Sequence, residues 1–183
     1  MSTVILYGSR YGASQRYAKE LSRRAGFPVA SYQDYLRTPL TKVENVVYFG
    51  GLYAGGVTGL KRTVRAIPPS ARLTLVTVGL ADPARAENAA HIRDLVQRLL
   101  GAERFGRTTL FHLRGGIDYA RLSPVHRAMM AMLRRSLLLK DPAALSDEDR
   151  GLLETYGTAV DFTDLDALEP VMASLAPEAV PVP

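Results

Sequence analysis

The chain has 183 residues and a net charge of +5, and 47% of its residues are hydrophobic, enough for one domain with a full core. It has no cysteine, which excludes disulfides, Cys-ligated zinc, Cys-held iron–sulfur clusters and thiol redox chemistry, so any electron chemistry requires a bound cofactor. The positive charge favours nucleic acid, anionic lipid or an anionic ligand over basic partners.

Val4-Ile5-Leu6-Tyr7 is a short apolar run bounded by Gly8 and reads as a buried strand. It begins so early that no signal peptide fits before it, and no apolar run approaches the ~18 residues that span a bilayer. A cytoplasmic protein is expected. Helix one runs from Ser14 to about Ala25 and stops at Gly26-Phe27-Pro28. Phe27–Tyr32 is a weak second strand, and Asp34–Lys42 is a loop or a short helical turn. Asn45–Phe49 is the clearest core strand and leads into Gly50-Gly51-Leu52-Tyr53-Ala54-Gly55-Gly56. A helix is predicted over Val57–Ala66, ended by Ile67-Pro68-Pro69. Arg72–Val78 is a fourth strand, Ala84–Leu100 a strong helix, and Thr108–Leu113 a fifth strand.

Beyond Gly115-Gly116, read as a hinge, Ser123 and Pro124 mark a helix start. Val125, Ala128, Met129, Met132, Leu133 and Leu137 repeat at helical spacing, flanked by His126, Arg127, Arg134 and Arg135. This stripe either packs on the sheet or lies on an anionic membrane. A short helix ending near Leu153 follows. Asp147-Glu148-Asp149 fits a helix N-terminus favoured by the dipole. A last helix extends to about Leu175 with Thr163 as its cap. Residues 177–183 form a Pro-rich tail, expected to be disordered. The whole is read as one domain over 1–176, with 115–163 as a late insertion and connection.

Strands alternating with helices imply an α/β fold, a doubly wound parallel sheet of five strands with helices on both faces and a late helical insertion. Ser9-Arg10-Tyr11-Gly12-Ala13-Ser14 lies between strand one and helix one. The free N–H groups of a first helical turn attract phosphate. The Gly-x-Gly-x-x-Gly dinucleotide pattern is absent, and so is a terminal Gly-Lys-Ser/Thr. The alternative is an ordinary turn in which Ser14 only caps the helix. The hydroxyls and glycine at these offsets resemble the phosphate loop of flavodoxin-like proteins, which bind FMN. In open parallel sheets, ligands sit where strand order reverses, a rule that flavodoxin itself illustrates at strands one and three. Here both of those strands end in small-residue loops. The resemblance implies FMN contacts from Ser9 to Ser14, from Gly51, Leu52, Tyr53, Ala54 and Gly55, and from Gly79, Leu80, Ala81 and Asp82. Tyr11 and Tyr53 are candidates for a flavin wall.

A narrower resemblance rests on Ile5-Leu6-Tyr7-Gly8-Ser9, Gly50–Gly55, Val78-Gly79-Leu80-Ala81, and Asp118-Tyr119-x-x-Leu122-Ser123-Pro124-x-x-Arg127-x-Met129-Met130. With Asp161-Phe162-Thr163-Asp164-Leu165 these are similar to the flavodoxin-type, menaquinone-dependent protoporphyrinogen oxidase family. That family has Thr at the position of Ser14 and Trp at that of Leu165. The resemblance implies an FMN oxidoreductase that oxidises protoporphyrinogen and passes electrons to a membrane quinone. Its expected partners are a small-molecule substrate (porphyrinogen or quinone) and a peripheral membrane contact, with no nucleic acid. The competing readings are a one-electron carrier, for which the +5 charge is unusual, and a non-catalytic domain that kept the fold. The three histidines have no ligand spacing. No metal site is expected, and no side chain stands out as a catalytic acid or base.

Overall fold

The computed structural model describes residues 2–38, 42–53, 55–145 and 147–175. In chain order, the first half contains β1 (Thr3–Gly8), α1 (Ala13–Ala25), β2 (Val29–Ser31), α2 (Tyr32–Arg37), β3 (Asn45–Tyr53), β4 (Gly56–Val57), α3 (Leu60–Ala66) and β5 (Arg72–Gly79). Then come α4 (Ala86–Leu100), α5 (Ala102–Gly106), β6 (Thr108–Arg114), β7 (Gly116–Asp118), α6 (Pro124–Leu138), α7 (Asp147–Glu154), β8 (Ala159–Asp161) and α8 (Glu169–Leu175).

The five principal strands pair in parallel in the order β2-β1-β3-β5-β6. Because side chains alternate along a strand, each strand feeds two cores. Val4, Leu6, Val46, Tyr48, Leu73 and Leu75 meet α2, α3 and α4 on one face. Ile5, Val47, Phe49, Val76 and Val78 meet Tyr17, Ala18 and Leu21 of α1, and Leu168 and Val171 of the last turns, on the other. The expected doubly wound α/β sheet is therefore present. All the parallel strands leave their loops at one carboxyl edge. Among the described residues, no helix is long and apolar enough to cross a membrane.

Several local expectations are corrected. The segment expected to be loop or turn contains α2, because the Ser31 hydroxyl accepts from the Asp34 amide at 3.1 Å and caps it. Val57 does not begin a helix. It pairs antiparallel with Leu52 in a hairpin, and α3 starts only after Gly59. Gly115-Gly116 is not a hinge: the Gly115 amide donates to the Gly79 carbonyl at 2.7 Å, and β7 then pairs antiparallel with β8. Thr163 is not a helix cap. Asp161 and Asp164 accept from the amides of Thr163 and Asp166, so turns occupy that stretch before α8. The Pro-rich tail lies outside the described residues.

α6 also differs in its buried face. It buries Met130 and Leu137, with Leu133 partly covered, and leaves Val125, Met129 and Met132 exposed. It packs not on the parallel sheet but on a third cluster, built from Ile117, Tyr119, Leu122, Leu152, Tyr156 and Val160 at the carboxyl edge.

One buried side chain joins this late segment to the sheet. Tyr17 of α1 stacks on Phe49 with ring centroids 6.5 Å apart. Its hydroxyl donates to the Arg114 carbonyl at 2.7 Å and accepts from the Asp164 amide at 2.9 Å. Nearby, the Arg16 guanidinium pairs with Asp161 through two 2.8 Å bonds. Burial raises the Asp161 carboxyl, but hydrogen bonds from Thr163 and Arg16 outweigh it, and the group sits below its ordinary value. We expect Tyr17→Phe to lose about 1–3 kcal/mol in urea unfolding, because it strands two backbone groups that the hydroxyl satisfies. An unchanged midpoint would show those bonds to be dispensable.

Candidate functional site

β1 ends at Gly8, and α1 begins after Gly12, which takes φ 92 as the helix N-cap. That left-handed conformation suits glycine. The Gly12 amide donates to the Ser9 hydroxyl at 3.0 Å, which holds the loop in a tight arch. The first intrahelical bond runs from the Arg16 amide to the Gly12 carbonyl. The amides of Ala13, Ser14 and Gln15 therefore have no partner inside the helix. Ser14 is not the cap. It sits in the first turn, 2% exposed, and its hydroxyl makes no hydrogen bond among the described residues.

Two further loops close around this helix end. After β3 the chain reverses through β4, and Thr58 donates to the Gly51 carbonyl from its amide at 2.9 Å and its hydroxyl at 3.0 Å. Tyr53 then faces Tyr11 edge-on, with ring centroids 6.4 Å apart, and the Arg10 guanidinium lies 4.3 Å over the Tyr53 ring. After β5, Asp82 turns inward on its own loop. Its carboxylate accepts from the Ala84 amide at 3.0 Å, and its carbonyl accepts from the Asn88 side chain at 2.8 Å.

These loops border one cavity of about 790 Å³, near the upper end of the ~300–1,000 Å³ usual for small-molecule sites. Of the residues singled out in the sequence, Ser9, Arg10, Tyr11, Ala13, Ser14, Gly51, Leu52, Tyr53, Gly55, Gly79, Leu80 and Ala81 line it. Gly12 shapes the arch without lining the cavity, and Asp82 does not line it either, its carboxylate being taken up by the Ala84 amide in its own turn. Ala54 lies outside the described residues. The cavity continues past the loops to Met130, Leu133 and Leu137 of α6, and ends among Arg85, Lys140, Asp147 and Arg150. There Arg85 pairs with Asp147 at 2.7 Å and Lys140 with Asp149 at 3.5 Å.

The sequence pattern gave little sign of this far end. Arg85 and Lys140 stand at no recognisable spacing from the loops, and the Asp147–Asp149 run reads equally well as a helix start. Conversely, His126, Arg127, Arg134 and Arg135, which flank the apolar stripe of α6, do not line the cavity.

Tyr11 connects the two parts. Its hydroxyl lies 3.0 Å from the Met130 sulfur on α6. Burial, reinforced by Tyr53 and only partly offset by Arg10, raises its pKa well above the ordinary tyrosine value. Tyr11 therefore remains a neutral hydrogen-bond donor at any physiological pH.

Residues 4–142 match the family described as flavodoxin domain. The chain belongs to that family. Among solved structures, two cysteine-substituted variants of flavodoxin from Pseudomonas aeruginosa are each 20% identical to it, covering 72% of this chain and 93% of theirs, with a TM-score of 0.39. Trp repressor binding protein from Bacillus subtilis is 16% identical, covering 75% of this chain and 97% of its own, with a TM-score of 0.43. A search of the curated proteins found no match.

The cofactor of this flavodoxin domain is FMN. The residues present fit it. Three unpaired amides, a buried hydroxyl without a partner and a left-handed glycine form a cradle for a terminal phosphate. The tyrosine and glycine loops beside it offer flat and apolar walls suited to a ring system. Bound there, FMN supplies hydride and electron transfer; the protein supplies position and electrostatics.

We expect Ser14→Asp to weaken FMN binding by roughly 100-fold or more, since like charges about 4 Å apart near a protein surface repel by roughly 4 kcal/mol. Ser14→Ala, which keeps the shape, should lose only about 5–10-fold, the worth of one hydrogen bond. Flavin fluorescence titration of the apo-protein reads both, with apo-form melting as the check on folding. Unchanged affinity in Ser14→Asp would move the phosphate elsewhere.

Proposed function

We propose that this flavodoxin domain is an FMN-dependent oxidoreductase that takes hydrogen from a porphyrinogen, protoporphyrinogen being the leading candidate, and delivers electrons to a quinone. The observation that carries this reading is the extension of the cavity beyond the flavin loops. A domain that only exchanges electrons with protein partners has no need of a cavity reaching from the phosphate arch to α6 and α7. The residue pattern around Asp118–Met130, similar to that of the menaquinone-dependent protoporphyrinogen oxidases, supports the same substrate. It builds β7, the Tyr119 turn and the wall of α6 that this space runs along.

The chemistry of the walls suits a broad apolar ring with carboxylate arms. Met130, Leu133 and Leu137 present an apolar surface that excludes water from the reacting ring. Arg85, Lys140 and Arg150 stand at the far end, where guanidinium groups bind carboxylates in paired hydrogen bonds. Asp147 and Asp149 hold these cations in place. A substrate carboxylate would compete for them, most directly at Arg85. The phosphate arch and the Gly79–Ala81 loop fix the cofactor at the other end. No side chain is assigned as acid or base.

Steady-state oxidation of protoporphyrinogen by the FMN-loaded protein, with a soluble menaquinone analogue as acceptor, tests the proposal. We expect turnover that follows porphyrin fluorescence and saturates in both substrates. Arg85→Gln should raise KM for the tetrapyrrole by about 10-fold or more, the cost of one charged hydrogen-bonded contact, while FMN content stays unchanged. A flavin-loaded protein that is reduced and reoxidised by protein carriers but never turns over protoporphyrinogen would instead mark it as a one-electron carrier.

A further inference from the structure

Taking hydrogen from a porphyrinogen releases a proton as well as a hydride. Each two-electron step breaks one C–H bond at a bridging carbon, and that hydrogen leaves with the electron pair to bound FMN. The step also breaks one pyrrole N–H bond, whose electron pair stays behind and enters the new conjugated double bonds. The proton needs an acceptor. Water is a weak base, and a positioned side chain accelerates such a transfer.

α4 supplies a second wall of the cavity. Glu87, His91 and Leu95 are spaced four residues apart, with Asn88 and Ile92 beside them, so the five share one face of the helix. All five line the cavity. The Asn88 side chain donates to the Asp82 carbonyl at 2.8 Å. That bond ties this stretch of α4 to the loop after β5, whose Gly79, Leu80 and Ala81 border the flavin site. Ile92 is buried and Leu95 half-buried, while Glu87 and His91 are exposed.

Glu87 and His91 are also unengaged. Among the described residues, neither makes a hydrogen bond, an ion pair or a ring contact. The other carboxylates of the cavity, Asp147 and Asp149, are paired with Arg85 and Lys140. The other two histidines are placed elsewhere. A ring nitrogen of His112 lies 2.7 Å from the Thr77 hydroxyl, and neither His112 nor His126 lines the cavity. Among the described residues, His91 is thus the one imidazole on the cavity wall.

We propose that His91 is the proton acceptor of the reaction, an assignment that rests on the porphyrinogen reading of this cavity. A ring nitrogen of the neutral imidazole takes the pyrrole proton as the hydride leaves. Glu87, one turn earlier on the same face, favours the imidazolium that forms. The exposed ring then passes the proton to water. The quinone takes up the hydride's electron pair with two protons, so the hydrogen lost by the substrate equals that gained by the acceptor.

The test is turnover of protoporphyrinogen by FMN-loaded His91→Ala, with and without added imidazole, beside His126→Ala as the control off the cavity. We expect kcat to fall about 100-fold in His91→Ala, the lower end of what a positioned base contributes, with KM changed less than about 3-fold. Added imidazole should recover at least about 10-fold of that loss, which no structural role would show. FMN content and melting temperature should stay, since the side chain contacts nothing. A second readout needs no turnover: side-chain NMR of the three histidine rings while the FMN-loaded protein is titrated with protoporphyrin. The His91 signals, identified by their loss in His91→Ala, should shift, and those of His126 should not. Full turnover in His91→Ala, a loss that imidazole leaves unrepaired, or His91 signals unmoved by bound porphyrin overturns the assignment and leaves the substrate reading standing. A wild-type protein that neither binds protoporphyrin nor turns over protoporphyrinogen overturns both.

Discussion

The site depends on a close approach between the ends of two strands and the loop that folds back over them. Gly8 of β1 and Gly50 of β3 stand opposite each other in register. A Cβ at Gly8 would collide with the Thr58 carbonyl oxygen, and one at Gly50 with the Val57 side chain. Only bare backbone at both positions lets the β3–β4 hairpin settle against the sheet. The Tyr48 hydroxyl then reaches the Thr58 carbonyl at 2.5 Å, and Thr58 in turn holds Gly51. Gly51 is so close to the phosphate arch that a Cβ there would lie 3.3 Å from the Ser14 hydroxyl oxygen. The two loops that border the flavin site are thus set against each other by backbone packing before any ligand enters.

A second layer of contacts carries this arrangement outward. Arg10, Tyr53 and Tyr11 form a chain of ring and cation contacts, and Tyr11 passes it to Met130 on α6. Tyr17 links the other side of the arch to Arg114 and Asp164. Arg114 also lies 3.9 Å over the Phe162 ring. The late segment is therefore tied to the phosphate end of the site at two places. Burial of cavity wall and exposure of apolar strip occur on adjoining faces of one helix. That is the physical basis for treating α6 as the element that adapts a common flavin-binding sheet to a particular task.

The parallel sheet and the phosphate arch were legible in the sequence because both are local. Val46-Val47-Tyr48-Phe49 is apolar at every position, as a strand buried on both faces must be. The arch needs only a strand, small residues and a helix start in immediate succession. The orientation of α6 was not legible. Val125, Ala128, Met129 and Met132 satisfy helical periodicity, and so do Met130, Leu133 and Leu137. Periodicity cannot rank two apolar strips on one helix; only the partner surface, assembled from Ile117, Tyr119, Leu152 and Tyr156, decides between them. β7 and β8 are three residues each and pair across a long separation, so neither makes a pattern long enough to recognise. The cations of the cavity's far end were missed for the same reason: Arg85, Lys140 and Arg150 come together only through tertiary packing.

The central claim is that the carboxyl edge of this sheet holds one flavin mononucleotide by its phosphate at the start of α1. The most direct measurement is to release the flavin from the purified protein, identify it by chromatography and count it against the chain. The account predicts FMN, one per chain, and full reconstitution of the apo-protein by FMN alone. Release of FAD, or an apo-protein that takes up no FMN, would contradict it.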